Sequence, residues 1–185
     1  MTIFPRPTRP TRRFFLTLAI SALAQGRATA ADFREISWDD LVPADWNPMG
    51  SLKGMGEYPD SDPRTQKLYD RLRELWDTAP TVAALAGQSV KLAGYLVPLD
   101  EAKDGMRAFL LVPYFGACIH TPPPPANQIV HVLSQTPIKG FRTMDAVWVS
   151  GTLDLDRSKT DMGVSGYTMT ARRVTAYKAN GQTRP

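Results

Sequence analysis

The sequence is poor in the residues that build most metal and catalytic sites, with one Cys and two His among its 185 residues. A single Cys excludes an internal disulfide framework and a metal cage made of cysteines alone. The patterns Cys-x-x-Cys, Cys-x-x-Cys-His and His-Glu-x-x-His are all absent, so thioredoxin-like, c-type haem and zincin sites have no support. No apolar run reaches the roughly 20 residues that a membrane-spanning helix needs.

Acidic residues are missing before Asp32, and this absence accounts for the positive charge of the chain. The whole sequence has a net charge of +4, yet five of its 22 basic residues precede Asp32. The remainder, with 17 basic and 18 acidic side chains, has a net charge of −1. It also lacks a basic stripe with interleaved aromatic residues, so we do not expect nucleic acid as a partner.

The first thirty residues have the layout of an export signal. An apolar run, Phe14–Ala24, follows an arginine-rich start and precedes an Ala-x-Ala cleavage pattern that ends at Ala30. Within it, Arg12 and Arg13 precede Phe14, Phe15 and Leu16, an order typical of twin-arginine signals. A general secretory signal with two adjacent arginines is the alternative. Since no Cys lies at the cleavage site, we predict a periplasmic protein without a lipid anchor.

The rest of the chain predicts a small, mainly β domain preceded by an extended segment and one helix. We assign residues 1–30 to the signal peptide, 31–60 to an extended segment that packs through its tryptophans, 61–80 to the helix and 81–180 to the β domain. The helix is expected over Pro63–Asp77, because Ser61 and Asp62 can cap it and Pro80 follows its end. A single apolar stripe runs along it: Leu68, Leu72, Leu75 and Trp76.

Five strands are expected in the β domain. They lie near residues 90–97, 106–112, 128–133, 147–153 and 167–176, and Gly94 and Gly151 interrupt two of them where a strand would bend. Five short strands without long intervening helices favour a partly open barrel of the oligonucleotide/oligosaccharide-binding (OB) type over a generic small sandwich. The predicted fold class is therefore a five-stranded OB-like barrel.

The only Cys and both His lie within fourteen residues, at Cys118, His120 and His131. Thiolate and imidazole are ligands that zinc and Cu(I) prefer, so the three predict a metal site. Zinc and Cu(I) both stay open at this point, and Met106, Met144, Met162 and Met169 could add soft donors for copper.

Two other interpretations of these residues remain open. Cys118 can be a small buried hydrophobic residue, with the imidazoles bonded to loop carbonyl groups. Alternatively, Cys118, His131 and Asn127 supply the residue types of a Cys-dependent hydrolase. A helix N-terminus that would activate the thiol is excluded by the prolines that follow it.

The four consecutive prolines from Pro122 to Pro125 favour an extended polyproline II conformation. Such a strut would present Asn127 and Gln128 and hold the Cys-x-His loop open. The same strip could instead dock on a partner with an aromatic groove. The strut is favoured because it connects two candidate ligand groups.

The stretch from Gly87 to Tyr177 resembles a bacterial family of uncharacterised proteins, domain of unknown function 3299. The resemblance rests on Gly94-Tyr95-Leu96-Val97-Pro98-Leu99 and on Leu111–Gln128, with its Cys-x-His-x-Pro-Pro-Pro-Pro-x-Asn-Gln string. Trp38-Asp39-Asp40-Leu41-Val42-Pro43 is similar to the family's upstream element.

This resemblance implies a function outside the cell's interior. Members of the family are exported or lipid-anchored, and some look linked to zinc-responsive transport genes. It therefore implies an exported zinc-binding accessory protein near an inner-membrane metal transporter, and it transfers most directly to Cys118 and His120. A non-catalytic interaction module and a Cys-dependent enzyme are the alternatives.

Overall fold

The computed structural model describes residues 33–48, 59, 61–100, 104–118 and 123–178. The predicted signal peptide, with Arg12 and Arg13, lies outside the described residues, as do His120 and Pro122. Export and the four predicted segment boundaries therefore stay predictions. Among the residues that the structure describes, none forms a helix long and apolar enough to cross a membrane.

Five strands close into a barrel, which confirms the predicted fold class. The strands are β2 (Gln88–Pro98), β3 (Met106–Val112), β4 (Val130–Ile138), β5 (Ala146–Asp154) and β8 (Tyr167–Ala176). Their order around the barrel is β2-β3-β4-β8-β5, and β5 pairs again with β2. The β4–β8 pair is parallel, whereas the other barrel pairs are antiparallel. The prediction left the barrel partly open, but pairing of β2 with β5 closes it.

Both predicted bends coincide with close backbone approaches that leave no room for a side chain. At Gly94, β2 passes from β5 to β3, and a Cβ there would lie 2.9 Å from Cζ2 of Trp38. At Gly151, the register of β5 against β8 shifts by a bulge, and a Cβ would overlap the carbonyl oxygen of Thr170. Glycine is therefore required at both positions for steric reasons.

The N-terminal segment packs on the barrel through more than its tryptophans. A two-residue strand, β1 (Arg34–Glu35), pairs in parallel with β2. The indole Nε1 of Trp38 donates to the carbonyl oxygen of Ala93 at 2.7 Å. Leu41 is fully buried, and its carbonyl oxygen accepts a hydrogen bond from the Tyr167 hydroxyl. The segment thus completes the hydrophobic core.

The helix α1 (Pro63–Asp77) has the predicted bounds. The side chain of Asp62 caps it by accepting from the backbone N–H of Arg64 at 2.8 Å. Thr65 is the only residue of this helix that is less than a tenth exposed, so its apolar stripe does not enter the barrel core. Instead, Leu72 and Trp76 line a cavity of about 560 Å³. A short hairpin, β6 (Ser158–Thr160) and β7 (Gly163–Ser165), forms the opposite wall.

The third barrel strand begins later than its sequence pattern suggested. The strand was expected over residues 128–133, but Ala126–Gln128 form a 3-10 turn and β4 runs from Val130 to Ile138, so it also ends five residues later than expected. The turn is fixed because the backbone N–H of Gly166 donates to the carbonyl oxygen of Ala126 at 2.6 Å. A long-range contact therefore fixes a turn where a strand was expected.

Candidate metal site

Cys118 lies in a second hydrophobic cluster outside the barrel. Alternation along β3 separates the two clusters, since Phe109 and Leu111 face the barrel interior and Leu110 and Val112 face the opposite side. We call the second group the outer cluster; its buried members are Val97, Leu110, Val112, Ala117, Cys118 and Ile129. Partly buried Tyr95, Leu99, Met144 and Met162 pack against it. Cys118 is thus enclosed by apolar and thioether side chains.

Two residues of this region have an unusual backbone conformation. Cys118 has φ of 65° and Met144 has φ of 66°, and no other non-glycine residue that the structure describes has a positive φ. Residues with a Cβ rarely adopt a positive φ, because the Cβ then lies too close to the backbone. The backbone N–H of Gly116 donates to Sδ of Met144 at 3.2 Å, which joins the two segments. Both strained residues therefore belong to the same small region.

Burial controls the protonation of the thiol. Cys118 is 9% exposed, and desolvation raises its pKa to about 11. The thiol therefore stays protonated at neutral pH, unlike the thiolate of a catalytic cysteine. Asn127, the third residue of the hydrolase alternative, is fully buried and donates from Nδ2 to the carbonyl oxygen of Pro80 at 3.0 Å. This arrangement does not favour nucleophilic chemistry.

His131 projects from β4 toward the same outer face. It pairs with Leu110 of β3, and directly opposed residues of an antiparallel pair place their side chains on one face. Its Nε2 is shielded from solvent and has no hydrogen-bond partner among the described residues. Burial lowers the pKa of His131 below its usual value of 6.5, which favours the neutral imidazole. A buried, unpartnered nitrogen thus stands beside a member of the outer cluster.

The residues that follow the prolines point inward rather than toward the candidate ligands. Gln128 donates from Nε2 to the carbonyl oxygen of Trp38 at 2.8 Å, and Asn127 bonds to the loop before β2. Pro123 is exposed, Pro124 is buried and Pro125 is partly buried, with φ of −55° and ψ of 150°. Of the described prolines, Pro125 is therefore extended and Pro124 packs on the domain, and the strut stays a prediction.

The structure separates the four candidate methionines into two pairs. Met106 and Met169 lie in the barrel interior, whereas Met144 and Met162 pack against the outer cluster with Cys118. Within the part of the chain that the structure describes, no three His, Cys, Asp or Glu side chains form a group able to hold a metal ion. His120, the third expected ligand, lies outside the described residues.

Sequence reasoning did not single out the exposed aromatic residues beside the site. Tyr114 is 45% exposed and Phe115 is 68% exposed, in the loop between β3 and Cys118. The Phe115 ring packs edge-on against Tyr95 with the centroids 5.8 Å apart. Their position as an adjacent aromatic pair between Pro113 and Gly116, two residues typical of loops, is the sequence feature that could have marked them as exposed.

Comparison with known proteins identifies the family to which the chain belongs. The family model "Protein of unknown function (DUF3299)" matches residues 38–176. A crystal structure of a DUF3299 family protein from Pseudomonas aeruginosa PAO1 is 34% identical, with a TM-score of 0.63, and the match covers 80% of this chain and 99% of that one. No curated protein matches the chain. The chain therefore belongs to the DUF3299 family of proteins of unknown function.

Proposed function

We propose that this protein is an exported periplasmic metal-binding accessory protein of metal transport or homeostasis. The observation that carries the proposal is the buried Nε2 of His131, which has no partner among the described residues and lies on the same barrel face as the outer cluster. Buried polar atoms are nearly always satisfied, and a missing ion is one explanation of an exception. An ion at this nitrogen and at the Cys118 sulfur would satisfy it.

The protonation states of the two groups set the pH dependence of metal uptake. The lowered pKa of His131 keeps its imidazole neutral, which is the form that binds a metal. The raised pKa of Cys118, about 11, means that binding must release the thiol proton. Affinity should therefore increase with pH, because protons compete with the metal for the sulfur.

Zinc is the metal that the family resemblance implies, with Cys118 and His120 as ligands and His131 as a third ligand or as a group that orients them. The left-handed backbone at Cys118 turns the chain at this point, and two protein segments then supply the donors. Three protein ligands leave one position of a tetrahedral zinc open. An open position suits an accessory protein that receives the ion and passes it on, for example to an inner-membrane metal transporter.

Metal analysis of the purified protein tests this proposal. We expect close to one equivalent of zinc or copper in the wild-type chain after reconstitution and dialysis. Cys118→Ser and His131→Gln should each lose most of it, because each removes one donor. Leu133→Ala is the matched control, since Leu133 lies two residues along β4 from His131 and is 41% exposed. That variant should retain the metal.

Two results would refute metal binding by Cys118. One is a wild-type protein with no stoichiometric zinc or copper; the other is a Cys118→Ser variant whose melting temperature rises with added metal as much as that of the wild type. A ligand raises stability only through binding to the folded state. Equal shifts would therefore place the metal elsewhere.

A non-catalytic interaction module is the second candidate function, and the exposed Phe115 favours it. A large aromatic side chain that is 68% exposed is a common feature of partner-binding surfaces. On this alternative, a Phe115→Ala variant should fail to restore the function of the protein in cells that lack it, whereas a Cys118→Ala variant should restore it. The metal-binding function predicts the reverse order of severity.

A further inference from the structure

We infer that the cavity between α1 and the β6–β7 hairpin binds a short apolar peptide through its side chains and its two charged ends. The volume of the cavity is about 560 Å³, within the range of roughly 300–1,000 Å³ that is typical of small-molecule sites. Neither Cys118 nor His131 lines it. The inference therefore goes beyond the proposed metal-binding function and does not depend on it.

The walls of the cavity are mainly apolar. Tyr69, Leu72 and Trp76 lie at positions i, i+3 and i+7 of α1 and share one face of the helix. Pro123 and Val164 line the cavity from the other side. Tyr69 is 45% exposed, and Leu72 and Trp76 are only partly buried. An apolar helix face normally packs on the core of its own domain, whereas part of this one borders a cavity that a ligand can fill.

Contacts between the two walls hold the cavity open. The guanidinium of Arg157, just before β6, donates to the backbone carbonyl oxygens of Asp77 and Ala79 and so attaches the end of α1 to the hairpin. A Cβ on Gly163, at the turn of the hairpin, would lie 3.0 Å from Cβ of Pro123, so this turn packs on the proline strip. Walls that are already fixed reduce the free-energy cost of ordering the site around a ligand.

The charges that line the cavity decide the class of ligand. Each wall contributes one cation and one carboxylate: Arg73 and Asp77 from α1, and Lys159 and Asp161 from the hairpin. Within the described part of the chain, none of these four side chains forms an ion pair. A ligand with one charge, such as a fatty acid, would meet two side chains of its own sign. A ligand with both an ammonium and a carboxylate group can pair each of them with an opposite charge.

The length of the apolar stripe sets the size of the peptide. Tyr69 and Trp76 are seven residues apart on α1, which corresponds to about 10 Å along the helix axis. An extended tripeptide also spans about 10 Å. A tripeptide of apolar residues with free ends therefore has the length, the apolar side chains and the two charges that the cavity accommodates.

Isothermal titration calorimetry of the purified chain with the tripeptide Leu-Phe-Leu tests the inference. The matched ligand is the same tripeptide with an acetylated N-terminus and an amidated C-terminus, which keeps the apolar side chains and removes both charges. We expect one equivalent of the free tripeptide to bind, and the blocked one to bind more weakly by about tenfold or more. No binding of the free tripeptide, or equal affinities of the two, would overturn the inference.

Charge variants locate the binding in the cavity. Arg73→Gln and Asp161→Asn each remove one charge with little change in size and should each weaken the free tripeptide by about fivefold. Lys67→Gln is the control, because Lys67 is exposed on α1 and does not line the cavity. It should keep the affinity within about twofold of the wild type. Since all three side chains are exposed, these changes should leave the fold intact.

Two further results would contradict the inference. If Arg73→Gln and Asp161→Asn bind the tripeptide as tightly as Lys67→Gln does, the peptide occupies another site. If the fatty acid dodecanoate binds more tightly than the tripeptide and loses affinity in Arg73→Gln, the cavity takes a single-charged apolar anion instead of a peptide.

Discussion

Cys118 shows how a single residue acquires its chemistry from packing. In the sequence it is a lone thiol beside a histidine, and three roles were open: metal ligand, core residue or nucleophile. In the structure it is 9% exposed with φ of 65°. Burial raises the pKa of the thiol to about 11, so the role of nucleophile is disfavoured at neutral pH. The exposure of the sulfur, rather than its neighbours in sequence, decides this.

Alkylation of Cys118 should therefore be slow and strongly pH-dependent. The pKa is raised from 9.0 to about 11, so the thiolate fraction at neutral pH is lower than in the unfolded chain by on the order of 100-fold. The rate of reaction with iodoacetamide should rise about tenfold for each pH unit up to about pH 11. Mass spectrometry of quenched samples measures this rate. Denaturant should make alkylation rapid, whereas an apparent pKa below 8 in the folded protein would contradict the buried thiol.

The raised pKa of Cys118 also makes the free energy of unfolding depend on pH above pH 9.0. Because the folded-state pKa of Cys118 is raised, both states hold the proton below the unfolded-state value of 9.0. As the pH rises from 9.0 toward about 11, only the unfolded chain loses its proton, so the free energy of unfolding falls. At neutral pH, where both states hold the proton, the thiol therefore does not make the free energy of unfolding depend on pH.

At the scale of the element, the strands show which sequence patterns were reliable. The sequence pattern predicted the bounds of β3 and β8. It also predicted bends at Gly94 and Gly151, because the steric limits on a strand act locally. The start of β4 was wrong, since the 3-10 turn at residues 126–128 depends on a bond to Gly166. The short strands β1, β6 and β7 were not predicted, because two or three residues carry no detectable period.

Replacing Gly151 by Ala should destabilise the barrel by about 1–3 kcal/mol, since the new methyl group overlaps the Thr170 carbonyl oxygen at the bulge. Urea unfolding measures the change as a lower midpoint at constant slope. Thr152→Ala is the control on the next residue of β5, because its partly buried side chain can be shortened without overlap. It should cost no more than about 0.5 kcal/mol. Equal stability of Gly151→Ala and the wild type would show that β8 can move away.

At the scale of the molecule, the N-terminal segment belongs to the barrel although it lies outside the β domain in sequence. Ile36 and Leu41 are 6% and 0% exposed. The Leu41 carbonyl oxygen accepts from the Tyr167 hydroxyl, which itself accepts from the backbone N–H of Val82. The Trp38 carbonyl oxygen accepts from Gln128 of the proline motif. Loss of the segment would therefore expose core side chains and leave buried polar groups without partners.

A chain that starts at residue 44 should fail to fold cooperatively. It lacks Ile36, Trp38 and Leu41, and burial of each such side chain contributes about 1.5–3 kcal/mol. The sum is comparable with the whole stability of a small domain, about 5–15 kcal/mol. Circular dichroism during heating should show no cooperative transition for this chain. A chain that starts at Ala31, where export is predicted to leave it, is the control and should melt as the full chain does.

The sequence by itself determined the fold class, the helix bounds, the two bending glycines and the family, because each rests on local period, local sterics or a contiguous motif. It also brought Cys118 and His131 to notice as rare residue types. Only the tertiary structure decided that His131 faces the outer cluster, that Asn127 and Gln128 point inward, and that Met144 and Met162 rather than Met106 and Met169 accompany the thiol. These depend on strand pairing between residues far apart in the chain, and no local pattern encodes which face of a closed barrel a distant side chain will share.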